Sequence, residues 1–300
     1  MNLRKAIYIP VLILSLLLLI NLDVVAFGVE EETAEVDWER GVVVVQGQGV
    51  AAEDHIGGQA KLMAQRAARA DAYRNAAEFI DGVRVNSHTT MEDMIATSDR
   101  VETQVRGFIE GALFVDSEYD PDMKISTVTM ELPLDGREGL AYYLEDDARE
   151  DSQDRIDDVE EHLDQPRHED PPGEEIEEEV ERGIEYTSVV IDARGFDVAT
   201  ALYPQIFDSQ GYSLYGPTEV SADNPDNVSS LVAYSRSEEE IMGIDRVGDN
   251  PLIIEATSVI NRSGEAPTDL ILDSDNARLF RDLDKEHGVV ERRAVVFIID

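Results

Sequence analysis

The sequence predicts an α+β protein in which two small domains, each a mixed or antiparallel sheet with packed helices, are joined by an acidic linker. β-Branched runs such as residues 41–50 alternate with helical periodicities, and an apolar fraction of 42% is enough for a core. An acid-rich segment divides the chain in two. The expected divisions are a signal peptide or N-terminal anchor at 1–26, an α+β domain at 36–140, the linker at 141–185 and an α/β domain at 186–300.

The first 26 residues have the pattern of a secretory signal. Arg4 and Lys5 precede an apolar run at 6–22, and small residues end the segment at 24–26. The run would span about 25 Å as a helix, less than the ~30 Å hydrocarbon core, which favours a cleaved signal over an uncleaved anchor. In either case the body of the chain is expected in the periplasm or on the extracytoplasmic face of the membrane.

The clearest element of the first domain is a helix at 56–80. Six apolar side chains recur every four residues from Ala60 to Ile80, and Met63, Ala67, Ala70 and Ala77 are predicted to widen this buried stripe. The other predicted elements are strands at 41–50 and 83–89, a short helix at 99–109 and an antiparallel pair at 111–119 and 123–134.

The second domain is predicted to begin at a strand near 187–193 and to end with a buried closing strand at 293–299. Between them, the sequence predicts a hairpin at 205–215, a strand at 252–260 and a helix at 274–284 capped by Ser274.

The chain is strongly acidic, with 65 Asp and Glu against 25 Lys and Arg and a net charge of −40. Residues 145–185 account for −16 of this, which predicts a solvated spacer, but −24 is spread over the rest. Such a surface disfavours nucleic-acid binding. It is typical of a salt-adapted protein, because molar salt screens carboxylate repulsion.

Catalytic and metal-binding patterns are few. There is no cysteine, so disulfides, thiolate nucleophiles and a lipidated cysteine are excluded. The five histidines show no helical pair, and no nucleophile-elbow or phosphate-loop motif occurs. We therefore expect no enzyme activity, no cofactor and no metal.

Two groups of charged residues are candidate sites. The first is a basic stripe on the long helix, with ion pairing of Arg74 to Asp71 and Glu78 as the alternative. Its members are Lys61, Arg66, Arg69 and Arg74. The second is the strand-end pair Asp192 and Arg194, either an exposed site or an ion pair that braces a turn.

Four motifs stand out in the segment 47–134: GQG at 47–49, AARADAYRNAAE at 67–78, IDGV at 80–83 and VRGFIEGA at 105–112. Through these motifs the segment resembles the LPP-twenty lipoprotein family, which is similar to the N-terminal domain of the flagellar-ring protein FlgT. The region 186–300 is similar to the C-terminal half of bacterial envelope proteins with the same front domain, through VIDARG at 190–195, YPQI at 203–206 and DRVGDNPL at 245–252. The missing cysteine departs from the lipoprotein members.

These observations predict an exported structural or interaction protein of the cell envelope. The resemblance implies envelope or flagellar partners, or other copies of the chain. No nucleic acid is expected as a partner, and membrane contact is expected only through an uncleaved N-terminal segment. A carboxylate-dependent hydrolase and a glycan- or ion-binding module are the alternatives.

Overall fold

The computed structural model describes residues 33–162, 185–221, 230–260 and 266–300, within one compact unit, Ala34–Asp300. The α+β class is confirmed, because these residues form five α-helices and three four-stranded sheets. One sheet is antiparallel, one is mixed and one is entirely parallel. The predicted signal at 1–26 lies outside the described residues, as do residues 163–184 of the predicted linker.

The first sheet is antiparallel, with strand order β1-β2-β4-β3. Its strands are β1 (Ala34–Asp37), β2 (Val42–Val50), β3 (Leu113–Asp120) and β4 (Ile125–Pro133). The predicted pairing of β3 with β4 is confirmed, and Asp120 accepts hydrogen bonds from the backbone N–H of Asp122 and Met123 in the turn. The alternation along β4 buries Ser126, Val128, Met130 and Leu132.

Four helices belong to the same part of the molecule as the first sheet. They are α1 (Gly57–Asp81), α2 (Met91–Thr97), α3 (Asp99–Glu110) and α4 (Leu140–His162). The predicted stripe on α1 is confirmed, with all six side chains from Ala60 to Ile80 at this spacing buried. Its predicted widening is wrong at Met63, Ala67 and Ala70, which are exposed because the sheet covers only one face of the helix.

The predicted strand at 83–89 is wrong. This segment is irregular, with a single bridge between Arg84 and Thr90, and α2 follows it. The side chain of Asn86 accepts hydrogen bonds from the N–H groups of His88 and Thr89, which turns the backbone away from an extended path. The carbonyl oxygen of Val85 instead accepts the backbone N–H of Tyr203. This segment therefore connects the N-terminal part of the molecule (described residues up to 162) to its C-terminal part (described residues from 185 onward).

The C-terminal part contains two sheets, in the orders β10-β11-β6-β7 and β8-β12-β5-β9. The expected strand at 252–260 is wrong as a single element, since it divides into β9 and β10, which belong to different sheets. The helix α5 is capped by Asp273, not Ser274, because the Asp273 carboxylate accepts the N–H of Asn276 at 2.8 Å. The elements are β5 (Ser188–Asp192), β6 (Ile206–Asp208), β7 (Ser213–Tyr215), β8 (Ala233–Ser235), a 3₁₀ turn (Glu240–Gly243), β9 (Pro251–Glu255), β10 (Ser258–Ile260), β11 (Asp269–Leu272), α5 (Ser274–His287) and β12 (Val295–Ile298).

One hydrophobic core runs through both parts of the molecule. Helix α4 begins at the predicted domain boundary, yet its residues Leu140, Ala141, Leu144 and Ala148 are buried in this core. Trp38 from the first part packs on Tyr234 of this core, with ring centroids 5.0 Å apart, and also packs against the smaller apolar cluster on the other face of the parallel sheet. The N-terminal turns of α4, from Leu140 to Ala148, are therefore part of this shared core.

Polar contacts reinforce this junction. Arg293, with a side chain only 3% exposed, donates to Glu145 of α4 at 2.8 Å. Arg246 donates to Asp135 at 3.2 Å, and the hydroxyl of Tyr203 donates to the carbonyl of Ala141. These bonds satisfy buried polar groups where the two parts meet, so the parts are held in one arrangement.

Candidate functional site

Helix α1 lies close against β2, and two polar side chains of α1 form hydrogen bonds to the β2 backbone. Among the described residues, β1 pairs only with positions 42–45 of β2, so positions 46–50 have no strand neighbour on that side. There Asp71 accepts the N–H of Gln48 at 2.9 Å, and Asn75 donates to the carbonyl of Gln46 at 2.8 Å. The AARADAYRNAAE segment therefore supplies two side chains, four residues apart, that replace a missing strand.

The four basic residues of α1 do not share one environment. Arg74 pairs with Asp71 at 2.5 Å and with Glu78 at 3.6 Å, as the ion-pairing alternative requires. The Arg69 guanidinium lies 4.5 Å from the ring centroid of Phe114 on β3, a cation–π distance. Lys61 and Arg66 are exposed and form no ion pair within the part of the chain that the structure describes.

The side of α1 that points away from the sheet, here named the α1 outer face, is exposed and partly apolar. Leu62 is 58% exposed and Met63 38% exposed, although both are large apolar side chains. This face combines apolar, small and basic side chains at helical spacing, which is typical of a surface that meets another protein. Its members are Leu62, Met63, Arg66, Ala70, Tyr73 and Ala77.

The α1 outer face continues into an open groove of ≈ 840 Å³ between α1 and α3. Its floor is apolar, formed by Tyr73, Ala77, Ile95, Val105 and Ile109. Its rim carries Asp81, Glu102 and Glu110, and its one arginine, Arg106, pairs with Glu102 at 2.5 Å. The sequence prediction missed this groove, although the apolar residues on the second face of α1 were a signal for it.

The predicted strand-end pair lies at the carboxyl edge of the parallel sheet. Asp192 ends β5, and Arg194 donates to it through Nε at 2.9 Å and also reaches Glu238 at 3.4 Å. The Asp300 carboxylate accepts the N–H of Gly195 at 2.8 Å. Ligands of parallel sheets commonly bind at this edge.

Hydrogen bonding sets the charge state of this pair. The bond from the Arg194 side chain holds the pKa of Asp192 below its usual range, because it stabilises the carboxylate form. The same bond raises the pKa of Arg194. Asp192 is thus an ionised partner for Arg194, which suits a braced turn better than proton donation.

The histidines and acids offer few other candidates. His55, His88 and His287 are far apart in the sequence, and no group of three or more His, Asp or Glu in the described ranges could hold a metal ion. His162 and His168 fall outside the side chains that the structure describes. No helix within the described ranges is both long and apolar enough to cross a bilayer.

Fold and surface define this molecule as an α+β protein whose two parts share a core and whose longest helix has an exposed second face. Residues 188–300 match a family model described as the second domain of Treponema pallidum Tp0624. The match begins at β5 and covers both C-terminal sheets, and it lies outside the 47–134 segment that carries the front-domain resemblance. A search of curated proteins finds no match to the chain.

Proposed function

We propose that this protein is an exported structural or interaction protein of the cell envelope, with an association near a flagellum as its specific setting. The observation that carries the proposal is the α1 outer face. It places Leu62, Met63 and Arg66 in solvent on a helix that is anchored to the sheet along its opposite side. A rigidly held, partly apolar surface of this kind is suited to protein binding, because little conformational entropy is lost on association.

The rest of the molecule supports the same role. The shared core and the bond of Arg293 to Glu145 hold the two parts as one body, so the surfaces on each part keep a constant spacing. The signal-like sequence at 1–26 and the resemblance of 47–134 to envelope proteins favour export. The match of 188–300 to one domain of a Treponema protein is in keeping with a multi-part architecture.

Cell fractionation of the native host tests the proposal. We expect the protein in the periplasmic or envelope fraction, and we expect chemical crosslinking in intact cells to trap it with a second envelope protein or with itself. Recovery from the cytosol with Met1 in place and without membrane attachment would refute the export. Failure to crosslink within the envelope fraction would argue against an interaction role.

The carboxyl edge of the parallel sheet favours a second candidate, a glycan-binding module. Asp192, Arg194, Glu238 and Asp300 lie close together there, and such carboxylate and guanidinium groups bind sugar hydroxyls. Thermal unfolding with and without envelope glycans decides between the candidates. A ligand that binds the folded state raises the melting temperature, and Asp192→Asn should abolish that rise.

A further inference from the structure

We propose that the α1 outer face, together with the α1–α3 groove, is a two-fold interface between two copies of this chain, with the two α1 helices antiparallel. This inference rests on the proposed interaction role and names the partner for its main surface. A two-fold interface uses the same patch on both copies, so the patch must complement itself when it is rotated by half a turn. The α1 outer face and the groove meet this requirement in their charge, spacing and size.

The patch has opposite charge at its two ends. Arg66 lies in the N-terminal half of α1, while Asp81 ends the helix and lies with Glu110 on the rim of the groove. Arg66, Asp81 and Glu110 form no ion pair within the described residues. Antiparallel packing brings the basic end of each copy to the acidic end of the other, which is rare complementarity in a chain of net charge −40.

The spacing along α1 gives one register that matches both charge and size. If the helices cross beside Tyr73, Ala70 of one copy lies opposite Ala77 of the other, and Arg66 lies opposite Asp81. All four positions are within about 60° of one another around the helix at ~3.6 residues per turn. The alanines allow the helix axes to approach to about 8 Å, and each contact occurs twice.

The patch is large enough for a specific dimer. From Gln59 to Asp81 the helix is about 33 Å long, and α1 and α3 side by side are about 20 Å wide, which makes on the order of 650 Å² per copy. Specific interfaces bury about 1,200–2,000 Å² in total, so this area lies at their lower limit. The apolar groove floor supplies the desolvated centre that such an interface needs.

Charge-reversal variants test the register. Arg66→Glu places two carboxylates together at both symmetric contacts, and Asp81→Arg places two guanidinium groups together. We expect each single variant to raise the dimer dissociation constant by at least about tenfold. An equimolar mixture of the two variants should regain dimers within about threefold of the wild type, because both contacts in the mixed dimer are then oppositely charged.

The measurement is sedimentation equilibrium of the protein purified in its exported form, at about 0.15 M and 1 M salt, since salt screens repulsion between the acidic bodies. Lys285→Glu on α5 is the control, because it makes the same charge change on an exposed residue of the other part. A monomer at every concentration and salt, an equal loss in Lys285→Glu, or no recovery in the mixture would each overturn the proposal. Fractionation tests the envelope role separately. A protein that is found in the envelope fraction but is monomeric would refute the proposed dimer and leave the proposed envelope role standing.

Discussion

The contact between α1 and β2 leads to a sharp prediction for Gly47→Ala. A Cβ at Gly47 would lie 2.3 Å from the amide nitrogen of Ala72 and 2.4 Å from the carbonyl oxygen of Ala68. Both obstacles are helix backbone, which no rotamer change can move aside. Relief to an ordinary contact of ~3.5 Å therefore requires α1 to retreat by about 1 Å from the sheet.

The cost follows from what that retreat breaks. Overpacking that flexible side chains can absorb costs about 1–3 kcal/mol. Here the whole helix moves, and a gap of this width forfeits about a quarter to a half of each dispersion contact along the buried alanines. It also stretches the hydrogen bond of Asn75 to Gln46, which is 2.8 Å in the structure. We expect the free energy of unfolding to fall by about 3–5 kcal/mol, of a total of about 5–15 kcal/mol.

Chemical denaturation at constant salt measures this loss. Gly107→Ala is the matched control, because Gly107 is exposed in the last turn of α3 and nothing lies within 4 Å of its added Cβ. That substitution should raise the free energy of unfolding by up to about 1 kcal/mol through helix propensity alone. A loss under about 1 kcal/mol for Gly47→Ala, or an equal loss in both variants, would refute the close approach of α1.

Four further predictions concern charge. Glu145→Gln takes the Glu145 carboxylate away from the buried Arg293 guanidinium, so denaturation should show a fall of about 3 kcal/mol in the free energy of unfolding. Glu78→Gln, which removes an exposed partner of Arg74, should cost under about 0.5 kcal/mol. Because the pKa of Asp192 is lowered in the folded state, its contribution to stability is complete above pH ~3.9 and is lost as the pH falls through the folded pKa. The difference in the free energy of unfolding between the wild type and Asp192→Asn should therefore shrink in acid. Burial raises the pKa of Tyr203, Tyr215 and Tyr234, so their contribution to the stability of the folded protein is complete below about pH 10 and decreases above it. These three of the 10 tyrosines should therefore show phenolate absorbance only on unfolding. The melting temperature should rise between low salt and about 1 M, and a flat profile would contradict salt adaptation.

Local patterns predicted much of the fold but little of the candidate surface. The four-residue spacing from Ala60 to Ile80 identified the buried side of α1, because helical periodicity is a property of the chain itself. The same periodicity misled at Met63, Ala67 and Ala70, since an alanine fits a packed face and an open face equally well and a single methionine can lie on either. The groove was missed because Ile95 and Ile109 come from α2 and α3, and their proximity to Ala77 depends on packing.

The sequence by itself determined the α+β class, the principal helices and strands, and the acidic character. Only the tertiary structure decided that α4 enters the core, that residues 252–260 divide between two sheets, and that 83–89 is not a strand. Periodicity and turn chemistry act over a few residues, so they can be read along the chain. Which face of an element is covered depends on partners distant in sequence, and here those partners join both parts of the molecule in one core.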